Sequence, residues 1–79
     1  MIPAAFVGVA LQAVAARQAT QVAVQLGVSG SAMVQECIRL ARDPQVFAEH
    51  PRACRIILER IDDGRAARSA RSLTIHSIV

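Results

Sequence analysis

Two stretches with helical apolar spacing are separated by Leu26-Gly27-Val28-Ser29 in the run "QVAVQLGVSGSAMVQ" (Gln21 to Gln35), and this interruption restricts the possible folds more than any other feature. One continuous buried helix would lose stability from a central glycine with serines beside it, because glycine is a poor helix former and serine competes for backbone hydrogen bonds. Two short helices meeting at an angle would gain. Val22, Ala23 and Leu26 form one face of the first, and Gly27 supplies the left-handed residue that ends it. Ser29 is then placed to cap a helix from about Gly30 to Ala41, with Met33, Cys37, Leu40 and Ala41 on its inner side.

The flanking sequence supplies further helices. Pro3 suits a first helical position, and Ala4 to Ala16 is apolar on most faces, the pattern of a central helix. Gln18-Ala19-Thr20 reads as a break with a threonine cap. Asp43-Pro44 and His50-Pro51 both place a proline where its missing amide is harmless, in a first turn, and "PQVFAEH" between them has room for only a turn or two. In "PRACRIILERIDDG" the apolar residues Ala53, Cys54, Ile57, Leu58 and Ile61 keep the spacing of an amphipathic helix. Arg52, Arg55, Glu59 and Arg60 lie outside it, Arg55 can pair with Glu59 one turn on, and Asp62-Asp63-Gly64 ends the helix. After the arginine-rich linker "RAARSAR", "SLTIHSIV" alternates like a strand. A lone strand cannot satisfy its own backbone, and the simplest partner is the same strand of a second copy, with Leu73, Ile75 and Ile78 at the contact.

A chain of 79 residues is one domain at most, small enough to favour a partner chain. With 53% apolar residues but two phenylalanines and no tryptophan or tyrosine, its core must be built from Ala, Val, Leu and Ile, which suits close-packed helices. The expected class is mainly α: a compact helix-turn-helix bundle of four to five helices over 1–64, and over 65–79 a linker and a C-terminal β-strand that pairs across a dimer. The net charge is +3 and every basic residue is arginine, the side chain best suited to phosphate and carboxylate forks. From Met1 to Gln35 the sole charged side chain is Arg17, so the amino half reads as interior or interface.

Several functions find no support. Cys37 and Cys54 form no C-x-x-C pair, and His50 and His76 add no ligand cluster, so both cysteines read as buried small hydrophobes and no metal is expected. "MIPAAFVGVALQAVAA" lacks the basic start of a signal peptide, and Gln12 interrupts a run already short for a membrane span. A cytoplasmic location without membrane contact is expected. No nucleophile sits beside a base and an orienting group, and no glycine loop could cradle a phosphate, so neither an enzyme, a cofactor nor a small-molecule ligand is expected.

Where two helices cross tightly, the first must present a small side chain, here Ala23, and the chain must turn through a left-handed residue, here Gly27. Val28 and Leu26 plug the space, and Met33 packs back from the second helix. From Arg17 to Leu40 this pattern resembles the helix-turn-helix of phage Cro-type and plasmid-borne transcriptional repressors, with the motif itself at about 19–41. The resemblance implies that the Gly30 to Ala41 helix enters the major groove of double-stranded DNA. Ser29, Gly30, Ser31, Val34 and Gln35 would then face bases or backbone, with Gln35 suited to adenine and Val34 to a thymine methyl. It places Thr20 on a phosphate and makes Arg17, Arg39 and Arg42 flanking phosphate neutralisers. At the position of Glu36 such motifs carry an apolar residue, so this carboxylate is expected to reach solvent or to pair with Arg39 or Arg17.

The implied function is that of a homodimeric regulator, most simply a repressor, of phage, plasmid or bacterial genes, reading a palindromic operator. The alternative is a small helical interaction module or inhibitor whose apolar amino half docks on a protein partner without binding DNA. A repressor buries its first helix in its own core, whereas a docking module leaves an apolar patch exposed.

Overall fold

The computed structural model describes residues 2–63, and among these residues the fold is entirely helical. Pro3 precedes a single 3-10 turn, Ala4–Phe6, whose last amide donates to the Pro3 carbonyl at 2.9 Å. The chain then forms α1 (Val7–Ala15), α2 (Ala19–Leu26), α3 (Gly30–Ala41) and α4 (Pro44–Glu49). A fifth helix, α5, covers 51–63. The expected strand at 73–79, with Leu73, Ile75 and Ile78, and the linker before it lie outside the described residues.

Alanine sets the packing. Ala10, Ala13 and Ala15 of α1, Ala23 of α2, Ala41 of α3 and Ala53 of α5 are all buried, letting backbones approach closely around Leu11, Met33, Cys37 and Cys54, the largest fully buried side chains. α1 packs against both α2 and α3, α2 against α3, and α3 against α4. Its central place follows from its composition: it has no charged residue and buries Ala10, Leu11, Ala13 and Ala15. Burial of Leu11 alone contributes roughly 1.5–3 kcal/mol.

Local chemistry fixes most helix ends. Asp43 accepts hydrogen bonds from the amides of Gln45 and Val46 at 2.9 and 3.4 Å, and Pro44 follows in the first turn of α4. The His50 carbonyl takes the Cys54 amide at 3.1 Å to open α5. Asp62 and Asp63, at the helix end read from sequence, are themselves still helical. The threonine cap is also corrected: α2 begins at Ala19, its cap position is Gln18 without a side-chain bond, and Thr20 lies within the helix.

The reason lies in how α1 ends. The Gln18 amide donates back to the Ala13 carbonyl at 2.7 Å and the Arg17 amide to Val14 at 3.1 Å, a Schellman closure that takes the chain sharply into α2. Such a closure needs a left-handed residue, and that residue is Arg17, at φ 63°. The same arrangement recurs at the end of α2, where Val28 donates to Ala23 at 2.8 Å around Gly27 at φ 70°.

Candidate nucleic-acid interface

α2, the turn Gly27-Val28-Ser29 and α3 form a helix-turn-helix unit in the geometric sense of two short helices joined through a tight glycine-containing turn. Its inner side is apolar. Ala23 and Met33 are buried, and the half-buried Val22, Leu26 and Val28 pack against the core around them. Ser29 has an extended backbone, and its hydroxyl accepts the Ala32 amide at 3.3 Å, so the start of α3 is set where the cap residue places it.

The outer side is polar and largely uncharged. Ser29, Ser31 and Gln35 are exposed, as is Ala32, and Gly30 is half-buried. A Cβ at Gly30 would stand 4.0 Å from the Thr20 hydroxyl, so the first turn of α2 lies against the first turn of α3. Arg17 and Thr20 line one shallow depression together with Gln18 and Gln21. The structure therefore brings Arg17, Thr20 and the start of α3 to one side of the unit. Gln18 and Gln21 were not singled out by sequence reading, although their three-residue spacing around Thr20, about one helical turn from each other, was visible there.

Three other residues stand differently. Val34 is half-buried at the margin of the outer face, between the buried Met33 and the exposed Gln35. Arg42 is exposed at the C-terminal cap of α3, at the opposite end of that helix from Ser29. Arg39 is occupied by a neighbour: its Nε donates to Glu36 Oε2 at 3.1 Å and one terminal nitrogen donates to Oε1. Of the two partners considered for Glu36, the structure selects Arg39. That hydrogen bond, more than the charge alone, holds the Glu36 carboxyl below its ordinary value, against a smaller opposing effect of burial.

Away from this face, α5 lies along α1. The His50 ring sits where a Cβ on Gly8 would be 2.9 Å from its Cε1, and Arg60 donates to the Val14 carbonyl at 3.0 Å. The helices run in the same direction, and a shallow groove between them is lined by Gln12, Ala15, Ala16, Arg52, Ala53 and Ile56. Phe6, Val9 and Ile56 are exposed, as is Val24 of α2 at 76%. Cys37 and Cys54 are buried free thiols. Burial, assisted by the nearby Glu36 carboxylate, pushes the Cys37 thiol up to about 11, and burial raises Cys54 in the same direction. Among the described residues no helix is long and apolar enough to cross a membrane.

The sequence matches no protein-family model and no curated protein, and the fold matches no solved structure.

Proposed function

We propose that this chain is a sequence-specific DNA-binding protein that acts as a dimeric transcriptional regulator, most simply a repressor, with α3 as the recognition helix. One observation carries the reading: the left-handed turn at Gly27 brings the first turn of α2 against that of α3, with Thr20 beside Gly30 and exposed Ser31 and Gln35 following along α3. On duplex DNA this arrangement lets α2 cross the backbone while the amino-terminal part of α3 reads base edges. Thr20 and the exposed α2 amides approach a phosphate, and Arg17 and Arg42 neutralise phosphates on either side. Gln35 is suited to the N6 and N7 of adenine. Two copies joined through 73–79 would present two such heads to a palindrome, with half-sites about 34 Å apart or a multiple of that.

The decisive experiment titrates the protein onto a labelled duplex from upstream of its own gene at two salt concentrations, with a scrambled duplex as competitor. Tight binding that withstands the scramble is the expected result. Weak binding that is equal for both duplexes and abolished by salt would reject the proposal.

A second reading has its own observation. The exposed Phe6, Val9 and Ile56 lie on α1, on the turn leading into it and on α5, the two helices that flank an apolar groove. A module that docks on a protein would use this face and leave DNA unbound, so the same titration separates the two.

A further inference from the structure

We infer that Arg39 reads a guanine edge in the major groove and that Glu36 is the residue that positions it for this task. The inference rests on the DNA-binding reading above and adds a residue that selects sequence, at a place where electrostatics alone would put a phosphate contact.

Three observations support it. The first is the side of the guanidinium that is engaged. Glu36 takes hydrogens from Nε and from one terminal nitrogen, a side-on bidentate pair, so the second hydrogen of that nitrogen and those of the other remain at the outer end. Those outer hydrogens form a parallel fork, the shape that guanine O6 and N7 accept. The second is register. Ser31, Gln35 and Arg39 follow one another at four-residue steps along α3, each turned about 40° from the last, so Arg39 is exposed one turn beyond Gln35, about 80° round from Ser31 and in the last turn of the helix. The third is the division of burial within the pair: the Arg39 side chain is 64% exposed and that of Glu36 only 23%. The guanidinium projects outward while the carboxylate stays back against the helix, where it meets a groove less directly.

A carboxylate partner is a poor arrangement for phosphate neutralisation, because it cancels much of the charge that releases counterions. For a base contact it has two benefits. It removes side-chain freedom before binding, which lowers the ordering cost, and it fixes the plane of the fork, which a freely rotating arginine would have to find. At this position the helix-turn-helix pattern calls for an apolar residue, and a positioning role gives Glu36 a function that packing does not.

The test selects preferred duplexes from a randomised library with the wild-type chain and with Arg39→Ala, Arg39→Lys and Glu36→Gln, each checked for unchanged helix content by circular dichroism. The wild type is expected to select guanine at one position of each half-site. Arg39→Ala and Arg39→Lys should each lose that preference by about tenfold, because lysine keeps the charge but not the fork. Glu36→Gln should bind unrelated duplex more tightly, by several-fold, while its guanine preference falls. Affinity and selectivity moving in opposite directions is a signature that a merely structural role for Glu36 would not produce. If Arg39→Lys or Glu36→Gln keeps the full preference, or if Arg39→Ala weakens every duplex equally and lowers the salt slope by about one, Arg39 is a phosphate contact and the inference is overturned. A wild type that binds no duplex overturns the proposed function and this inference with it. A wild type with a defined site that Arg39→Ala leaves unchanged overturns this inference alone.

Discussion

Arg17 holds a backbone conformation that glycine adopts freely and other residues adopt at a cost of roughly 1–2 kcal/mol. Its counterpart Gly27 performs the same turn without that cost. Replacing Arg17 with glycine should therefore stabilise the fold, by somewhat under about 1 kcal/mol once the greater freedom of glycine in the unfolded chain is subtracted. The midpoint of a urea titration will show the gain. If Arg17 contacts phosphate as proposed, the same variant binds DNA more weakly and its salt slope falls by about one. A second residue-scale outcome concerns the thiols. Because both thiols are buried, with Cys37 pushed up to about 11 and Cys54 raised in the same direction, both cysteines should resist alkylation at pH 8 in the native protein, and labelling should follow unfolding. Raising the folded value above that of the free thiol favours the folded state fully below pH 9, and this contribution declines as pH rises from about 9 toward 11. Denaturant midpoints across that window are the measurement, and a flat profile would mean that Cys37 is more open to solvent than its surroundings indicate.

At the scale of elements, Gly8 and His50 should behave as a coupled pair. Alanine is favoured over glycine by about 1 kcal/mol in a helix interior and by up to that amount in the first turn of α1, where Gly8 lies. Its Cβ here meets the His50 ring at 2.9 Å, so Gly8→Ala in the wild type should gain less than that, or lose stability. In a His50→Ala background the full gain should return, and a double-mutant cycle measures the difference; additivity within error would mean that the ring moves aside without cost. The elements also show what could be read from sequence. Gly27, the Ser29 cap, the limits of α3 and the Asp43-Pro44 start of α4 were all legible, because each depends on a residue type whose backbone or side chain has one strong local use. The 3-10 start at Ala4–Phe6 and the left-handed Arg17 that closes α1 were not, although the end of α1 near Ala16 was. Arginine carries no mark of a left-handed backbone, and the threonine that looked like a cap is overridden by the Gln18 to Ala13 closure. At the proposed interface, the exposed polar face of α3 followed from helical spacing. The choice of Arg39 over Arg17 as the partner of Glu36 needed coordinates, since spacing of i to i+3 permits the pair without requiring it.

The whole molecule raises the matter of copies. A single head with only Arg17 and Arg42 proposed to neutralise phosphates offers modest affinity, so the proposed regulator depends on pairing, which the sequence reading assigns to Leu73, Ile75 and Ile78. Removing 73–79 should give monomers by analytical ultracentrifugation and a loss of operator affinity much larger than the loss of affinity for unrelated duplex. A truncated chain that still sediments as a dimer would move the dimer contact to the exposed apolar face of α1 and α5. These two helices have a further consequence through the bond from Arg60 to the Val14 carbonyl, which spans 46 positions. During synthesis the most apolar helix leaves the ribosome before α2, α3 and α4, and α5, which lies along it, follows all of them. At about 5–20 residues per second that interval lasts several seconds. For that time α1 has only α2 and α3 to shelter it, so the order of synthesis leaves its α5 side, the one that Ala53 and Cys54 help to close, as the last of these seams to seal.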